Sequence, residues 1–281
     1  MQRYYFFSYF ALLLLFFRTF AEKQTYKKMR KATMTTLRGG LILLLLWMTL
    51  PLSAQERAEV LLETTEGNIR IALYNETPQH RDNFLKVVGM QLYDSLLFHR
   101  VIKDFMVQSG DLNSKHAQPG ARLGTGELDY TTEAEFRLPQ LFHRRGAVAA
   151  AREGDKANPE RRSGACQFYI VWGKKWDDAR LAKVQERLDT LTQGTVKITP
   201  EMAEVYKTVG GTPHLDGQYT VFGEVVEGLD VVDHIQQMPA DKYDRPQTDV
   251  RILRATITKN PFTPAPKPEK KKQISRRKKK K

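Results

Sequence analysis

The feature that most constrains the fold of this chain is a succession of short apolar runs separated by turn-forming residues. The runs lie at Phe98–Val101, Phe105–Ser109, Ala147–Ala151, Phe168–Val171, Thr220–Val225 and Val250–Ile257. The segment "VLLETTEGNIRIAL" adds two more, which the turn Glu66-Gly67-Asn68 joins as a hairpin. Runs of this length are typical of β-strands, and their number predicts a mainly β protein, for which we expect a closed antiparallel barrel.

Two segments are predicted to be helices that pack against these strands. The segment "TPQHRDNFLKVVGM" has Thr77 as a candidate N-cap, Pro78 at the first helical position and Gly89 as a stop signal. The second is "GLDVVDHIQQM". The apolar residues expected to face the core are Phe84, Val87 and Val88 in the first and Val231, Val232 and Ile235 in the second.

Residues 174–213 interrupt the strands with two amphipathic patterns, "WDDARLAKVQERLDTLTQ" and "TPEMAEVYKTVG". Apolar side chains recur there at helical spacing, at Leu181, Val184, Leu188, Leu191, Met202, Val205 and Tyr206. We therefore predict a helical insertion within a single domain spanning residues 55–259.

The charge of the chain is concentrated at its two ends. The formal net charge is +13, but residues 1–54 carry eight Lys/Arg and one Glu, and residues 267–281 carry ten Lys/Arg and one Glu. The region between them is therefore close to neutral, and we expect no specific nucleic-acid partner. The Pro/Lys-rich tail, 260–281, is expected to be disordered, and we favour a solvated tail; weak contact with anionic surfaces such as lipid head groups is the alternative.

Residues 1–54 are interpreted as a leader. Basic side chains precede the apolar run Leu41–Leu50, and small residues follow it, which is the plan of a secretory signal peptide. We expect an exported protein, periplasmic or in the cell envelope, with its true start at Met29 or Met34 and a mature chain beginning near Gln55. Retention of the leader as a membrane anchor is the alternative.

The cysteine and histidine content argues against several kinds of site. The single cysteine, Cys166, excludes an internal disulfide and a cysteine-based zinc cluster, and we interpret it as a buried apolar residue and not a reactive thiol. The six histidines show no spacing typical of zinc chelation or of a catalytic triad. We expect no metal site.

One charged residue stands out within the strand-like runs. The stretch "FHRVIKDFMVQSGD" places Arg100 among apolar residues with no obvious carboxylate partner nearby in sequence. Burying an unpaired guanidinium is costly, which favours a functional reason for this residue. Met106 and Gln108 alternate along the same run, so that both lie on one face of a strand.

Three blocks of the sequence resemble the signature blocks of the cyclophilin family of peptidyl-prolyl cis-trans isomerases. They are the stretch just quoted, "GACQFYIVW" and "HLDGQYTVFGEVVEGLDVVDHI", and the resemblance extends from Val60 to Ile257 apart from the inserted helices. It implies an eight-stranded antiparallel barrel capped by a helix at each end, with no metal, cofactor or covalent intermediate. We expect a monomer that binds proline-containing polypeptides and assists the folding of exported proteins.

The resemblance assigns catalysis to Arg100, whose permanently charged guanidinium can donate to the prolyl nitrogen when an X–Pro amide twists. It also implies a set of substrate-binding residues. These are Phe105, Met106, Gln108, Ala151, Arg152, Gln167, Tyr169, Leu215 and Tyr219.

Five positions depart from the familiar pattern of the family. Tyr169 replaces a phenylalanine and is expected to make the proline pocket slightly more polar, and Tyr219 stands where many members have histidine. Arg152 replaces an asparagine, which favours acidic substrates. His214 replaces the tryptophan associated with tight cyclosporin binding, so we expect weak inhibition, and Cys166 stands in place of a serine.

Two alternatives stay open at this point. A module of the same fold would grip proline-containing segments without turning them over, and the intact Arg100 and Gln108 argue against it. In the other alternative, the basic tail is the main functional element and tethers the protein to a surface.

Overall fold

A computed structural model describes residues 56–262. The leader, the expected mature start and residues 263–281 of the tail lie outside the described residues, and the predictions made for them stay predictions. The elements in chain order are β1 Glu59–Thr64, β2 Gly67–Leu73, α1 Pro78–Gly89, β3 Arg100–Ile102, β4 Met106–Ser109, β5 Thr131–Thr132, β6 Ala147–Ala150, β7 Ser163–Gly164, β8 Phe168–Val171, α2 Asp178–Thr192, α3 Pro200–Thr208, β9 Val221–Glu227, α4 Leu229–Gln236 and β10 Ile252–Lys259.

Eight strands form one antiparallel sheet in the order β10-β1-β2-β9-β6-β8-β4-β3, while β5 and β7 pair separately. The mainly β prediction is confirmed, but the prediction of a closed barrel is wrong. The sheet is curled and open, because its edge strands β10 and β3 do not form a ladder with each other. The backbone N–H of Val101 in β3 donates to the carbonyl of Asp244, 2.7 Å away, and an isolated bridge between Leu97 and Arg251 joins the segment before β3 to the segment before β10.

The sheet has one face in the core and one face turned outward. Val101, Val107, Ile170 and Val148 stand at successive positions across β3, β4, β8 and β6 and belong to the main buried cluster. Because side chains alternate along a strand, their neighbours project from the opposite face. That outward face of β3, β4, β8 and β6 carries the residues that the sequence singled out.

Helix α1 covers one end of the core in the predicted position. The ring of Phe84 packs against Tyr93, Phe168 and Phe222, with ring centroids 5.1, 5.3 and 5.2 Å apart. The expected capping by Thr77 is wrong in its detail, because the hydroxyl makes no capping hydrogen bond.

A carboxylate that is distant in sequence takes over this capping role. Glu135 accepts from the backbone N–H groups of Gln79 and His80, at 3.2 and 3.0 Å. The helix also continues through Gly89 and ends at the C-cap Met90, one residue beyond the expected stop.

The helical insertion is confirmed as α2 and α3, between β8 and β9. Leu181, Val184, Leu188, Met202 and Tyr206 are buried as the periodicity predicts. Leu191 is 36% exposed, and the neighbouring Thr192 is buried in its place. Within residues 56–262, the helices are too short or too polar to cross a membrane.

Candidate active site

The strand register places four of the outward-facing residues in one row. Arg100 of β3 stands opposite Gln108 of β4, which stands opposite Tyr169 of β8, which stands opposite Ala149 of β6. Residues directly opposite each other in antiparallel strands share a face and lie within side-chain contact. The sheet therefore brings a cationic donor, an amide and an aromatic ring side by side, from positions spread over 70 residues of sequence.

These residues border a cleft of about 250 Å³. Nine of the ten predicted site residues line it: Arg100, Phe105, Met106, Gln108, Ala151, Arg152, Tyr169, Leu215 and Tyr219. Gln167 does not, and lies instead on a wider adjoining cavity of about 700 Å³ that shares Gln108, Ala151 and Arg152 with the cleft. The residues that sequence reasoning missed are His99, Ala121, Leu123, Gly124, Tyr243 and Arg245.

The apolar part of the cleft forms a packed cluster of its own. Met106 and Tyr169 are 2% and 5% exposed, and Phe105, Leu215 and Tyr219 pack against them while remaining accessible. The rings of Tyr169 and Tyr219 meet edge to face with centroids 6.0 Å apart. Such a set of aromatic and flexible apolar side chains suits a small apolar ring.

The surroundings of Arg100 correct two parts of the sequence interpretation. Its side chain is 41% exposed, so it is not a buried charge, and it does have a carboxylate partner. The Nε atom lies 3.4 Å from Oδ2 of Asp244, and Nη1 lies 3.4 Å from Oε1 of Gln108. Both contacts are long, which leaves the guanidinium able to donate to a substrate in the cleft.

The two glutamines form a chain behind Arg100. Gln108 donates from Nε2 to Oε1 of Gln167 at 3.0 Å, and Gln167 donates to the carbonyls of Gly124 and Gly126 at 3.2 and 3.1 Å. Gln167 therefore satisfies an internal network and holds the amide of Gln108 in orientation. Of the two, Gln108 is the one whose side chain borders the cleft.

The charge of Arg152 is used within the protein. Its side chain is 2% exposed, donates to the carbonyl of Gln218 at 2.7 Å, and pairs with Asp155 at 2.6 Å. The guanidinium carbon also lies 4.6 Å from the centroid of the Tyr219 ring. Arg152 therefore braces Tyr219, and the expected preference for acidic substrates finds no support in this geometry.

The hydroxyl of Tyr169 does not make the cleft more polar, contrary to expectation. It lies 3.0 Å from Nε2 of the buried His143, so that the ring alone faces the cleft.

His214 occupies the position at which other family members have a tryptophan. Its ring stacks on Phe105, with ring centroids 5.6 Å apart.

Two titratable groups near the cleft have pKa values set by burial. His99 is 3% exposed, and burial lowers its pKa to about 4, so it is neutral at physiological pH and adds no positive charge beside Arg100. Cys166 is free and 1% exposed, which confirms the prediction of a buried residue, and burial raises the pKa of its thiol to about 12.

A second polar cluster resembles a catalytic triad in its distances alone. His80 lies 2.7 Å from Glu135 and 2.9 Å from the hydroxyl of Ser163. The three residues are 3%, 3% and 1% exposed, so no substrate reaches the serine, and the cluster joins α1 to the β5–β7 pair. In residues 56–262, no group of three or more His, Cys, Asp or Glu side chains is arranged to hold a metal ion.

One wall of the cleft, which the sequence did not predict, is formed by the loop before β10. Arg245 binds both carboxylate oxygens of Asp249, and it donates to the carbonyls of Gln118 and Ala121 at 2.9 and 3.1 Å. It thereby ties two distant loops together and places Tyr243 and Asp244 beside Arg100. Asp249 is close to Arg245 in sequence, but Gln118, Ala121 and Arg100, which these residues meet across the cleft, lie more than a hundred positions away. No local pattern therefore marks this part of the wall.

The family assignment follows from comparison with known proteins. Residues 59–257 match the family model described as cyclophilin type peptidyl-prolyl cis-trans isomerase. The chain belongs to this family. The prediction of an enzyme of the isomerase class is confirmed at this level.

Individual cyclophilin relatives are similar over most of the described region. Peptidyl-prolyl cis-trans isomerase-like 3 of Gallus gallus is 32% identical over 210 residues, which cover 72% of this chain and 98% of the relative. A putative peptidyl-prolyl cis-trans isomerase of Staphylococcus aureus is 33% identical, covering 70% of this chain and 90% of that one. A cyclophilin type isomerase of Cryptosporidium parvum shares the fold, with a TM-score of 0.51 and 21% identity, covering 73% of this chain and all of that one.

Proposed function

We propose that this cyclophilin catalyses rotation about X–Pro peptide bonds, with Arg100 stabilising the twisted amide, and that it assists the folding of exported proteins. The observation that carries the proposal is the position of Arg100, a charged donor in the same cleft as the apolar cluster of Met106, Tyr169 and Leu215. Whether Arg100 accelerates the isomerisation is the part of the proposal that an experiment must test.

The chemistry requires little from the protein. Twisting an X–Pro amide removes its resonance, which is the barrier of about 18–20 kcal/mol, and leaves a lone pair on the prolyl nitrogen. A fixed donor that bonds to this nitrogen stabilises the twisted state more than either planar form. Arg100 provides such a donor, because a guanidinium carries N–H groups in a rigid planar fork.

The adjoining cavity of about 700 Å³ offers room for the rest of the substrate. Met106, Tyr169 and Leu215 surround the space for the ring, while Gln108 borders both the cleft and the adjoining cavity. The structure of the Cryptosporidium parvum isomerase was also determined in the presence of the dipeptide Ala-Pro. That finding supports proline-containing peptides as the ligand class for the same fold here.

The exported location rests on the leader pattern alone. The basic residues, the apolar run and the small residues before Gln55 support secretion, with clients among envelope or secreted proteins. N-terminal sequencing of the mature protein tests this part. A mature start near Gln55 supports export, whereas an intact leader on a membrane-bound protein supports the anchor.

An isomerisation assay on a proline peptide tests catalysis. Replacing Arg100 with alanine removes the donor to the twisted nitrogen, and we expect kcat/KM to fall about 100-fold or more. Arg180→Ala, on the outer surface of α2 with its side chain 59% exposed, is the matched control and leaves kcat/KM unchanged.

The same assay separates catalysis from mere binding. Peptide affinity is measured beside the rate for the wild type and for Arg100→Ala. If both proteins bind the peptide and show the same negligible rate, catalysis is wrong and the chain is a binding module of the cyclophilin fold.

A further inference from the structure

A chain of buried hydrogen bonds leads from the cleft into the helical insertion. Its members are Tyr169 of β8, His143, Asp216 and Tyr206 of α3, which are 5%, 1%, 0% and 0% exposed. Oη of Tyr169 lies 3.0 Å from Nε2 of His143, and Nδ1 of His143 lies 2.9 Å from Oδ1 of Asp216. Oη of Tyr206 lies 2.6 Å from Oδ2 of the same carboxylate.

The proton positions follow from the chemistry of the four groups. Burial raises the pKa values of Tyr169 and Tyr206 well above the usual range, so both hydroxyls stay protonated. Tyr206 therefore donates to Asp216, and Nδ1 of His143 contacts the other carboxylate oxygen while Nε2 contacts the hydroxyl of Tyr169. Asp216 accepts a third bond, at 2.9 Å, from the backbone N–H of His143.

This chain adjoins the cleft at two places. Tyr169 is one wall, and Leu215, the residue directly before Asp216, is another. The segment 211–216 is in turn held by the insertion, since Trp176 donates from Nε1 to the carbonyl of Gly211 at 2.8 Å. One carboxylate thus fixes the relative position of two walls that contact a bound ring.

We propose that Tyr206 is a positioning residue for the proline-binding cleft, acting through Asp216 and His143 on Tyr169 and Leu215. The inference rests on the proposed ligand class, and it gives the insertion a defined task in the cleft. Without the Tyr206 hydroxyl, the buried carboxylate loses one of its three donors and shifts towards the remaining two. The walls then hold the ring less precisely, and discrimination between rings of different size declines.

The test compares two peptides of one sequence, one with proline and one with pipecolic acid, whose ring is larger by one methylene. Dissociation constants are measured by calorimetry with the full chain, as wild type, Tyr206→Phe, Tyr169→Phe and the double variant. We expect the wild type to prefer proline and each single variant to reduce that preference about three- to tenfold, the range for one lost hydrogen bond. The double variant loses no more than either single one, because both break the same chain.

Thr192→Val is the matched control within the insertion. Its hydroxyl donates to the carbonyl of Leu188 at 2.7 Å, is buried, and has no bond to the four-residue chain. We expect this variant to lower thermal stability while leaving the ring preference within about twofold of the wild type. If Tyr206→Phe does not fold, Tyr169→Phe tests the chain from its other end.

The other possible results of these measurements each contradict a specific part of the proposals. A Tyr206→Phe protein with wild-type ring preference, or additive losses in the double variant, overturns the positioning role, as does a wild type that binds both rings equally. A wild type that binds neither peptide overturns both this inference and the proposed function. Selective binding by a wild type without turnover overturns the catalytic proposal alone.

Discussion

Arg100 and Asp244 show how a single residue acquires its setting from a distant loop. The two side chains are 41% and 46% exposed, and their contact of 3.4 Å joins positions 144 residues apart in sequence. Exposed ion pairs contribute about 0–1 kcal/mol because solvent and salt screen them. Asp244 therefore steers the guanidinium and does not neutralise it.

Replacing Asp244 with asparagine tests this view. We expect kcat/KM to fall about two- to fivefold at low salt, because Arg100 is less well oriented, and to differ less from wild type at high salt. The measurement is the isomerisation rate at two ionic strengths. A loss as large as that of Arg100→Ala shows that Asp244 takes part in the reaction directly.

Two histidines link the stability of the protein to pH. Burial lowers the pKa values of His99 and His214 to about 4, below the usual value of 6.5 that applies to the unfolded chain. Between these values the unfolded state binds more protons, so stability is complete above about pH 6.5 and declines as the pH falls towards 4. The greatest slope is about 1.4 kcal/mol per pH unit for each histidine.

Urea unfolding between pH 7.5 and 5 measures this dependence. We expect His214→Phe, whose ring still stacks on Phe105, to show a shallower decline than the wild type. His116→Gln, at an exposed position, is the control and keeps the wild-type slope. Equal slopes for wild type and His214→Phe contradict the assignment.

At the scale of elements, the insertion is stabilised by its own small clusters. Leu188 of α2 is fully buried beside Val184 and Val196, while Leu191 on the same helix is 36% exposed. Helical spacing alone places both leucines among the candidate core positions. Their packing differs because only one of them faces the segment that returns towards α3.

Alanine substitutions at these two positions separate packing from periodicity. We expect Leu188→Ala to lower the free energy of unfolding by about 2–5 kcal/mol, the range for a buried leucine that leaves a cavity. Leu191→Ala, the matched control, lowers it by less than about 1 kcal/mol. Similar losses in urea unfolding for the two variants are incompatible with the observed packing.

At the scale of the whole molecule, much of the net positive charge lies outside the cyclophilin domain, near the two ends of the sequence. Residues 267–281 carry ten of the 45 Lys/Arg residues, whereas the cyclophilin domain is close to neutral. A cluster of this kind is attracted to anionic lipid surfaces by about 1 kcal/mol for each basic residue near the surface. Surface binding and isomerisation are therefore expected to be independent properties.

Deleting residues 263–281 tests that independence. We expect the shortened protein to lose salt-sensitive binding to vesicles containing anionic lipid, with kcat/KM on a short proline peptide unchanged within about twofold. Vesicles of neutral lipid are the control and retain neither form. Binding that survives the deletion assigns the surface contact to another part of the chain.

Local sequence patterns were sufficient for most of the elements, and the resemblance to the family supplied most of the cleft. Alternation along β4 places Met106 and Gln108 on one face and Val107 in the core, because the side-chain period of a strand is two residues. The family resemblance identified nine residues that line one cleft, seven of them within the three signature blocks and the other two, Ala151 and Arg152, outside these blocks. Strand alternation and the signature blocks both depend on residues that are close together in sequence.

The tertiary structure decided what depends on distant partners. It placed Asp244 beside Arg100, opened the sheet at β3, and directed the hydroxyl of Tyr169 towards His143 instead of the cleft. Each contact joins segments whose approach is fixed only when the whole sheet and the insertion have packed. The sequence by itself therefore determined nine of the residues that line the cleft. Long-range packing added the wall with Tyr243 and Arg245 and determined which groups hold the cleft residues in place.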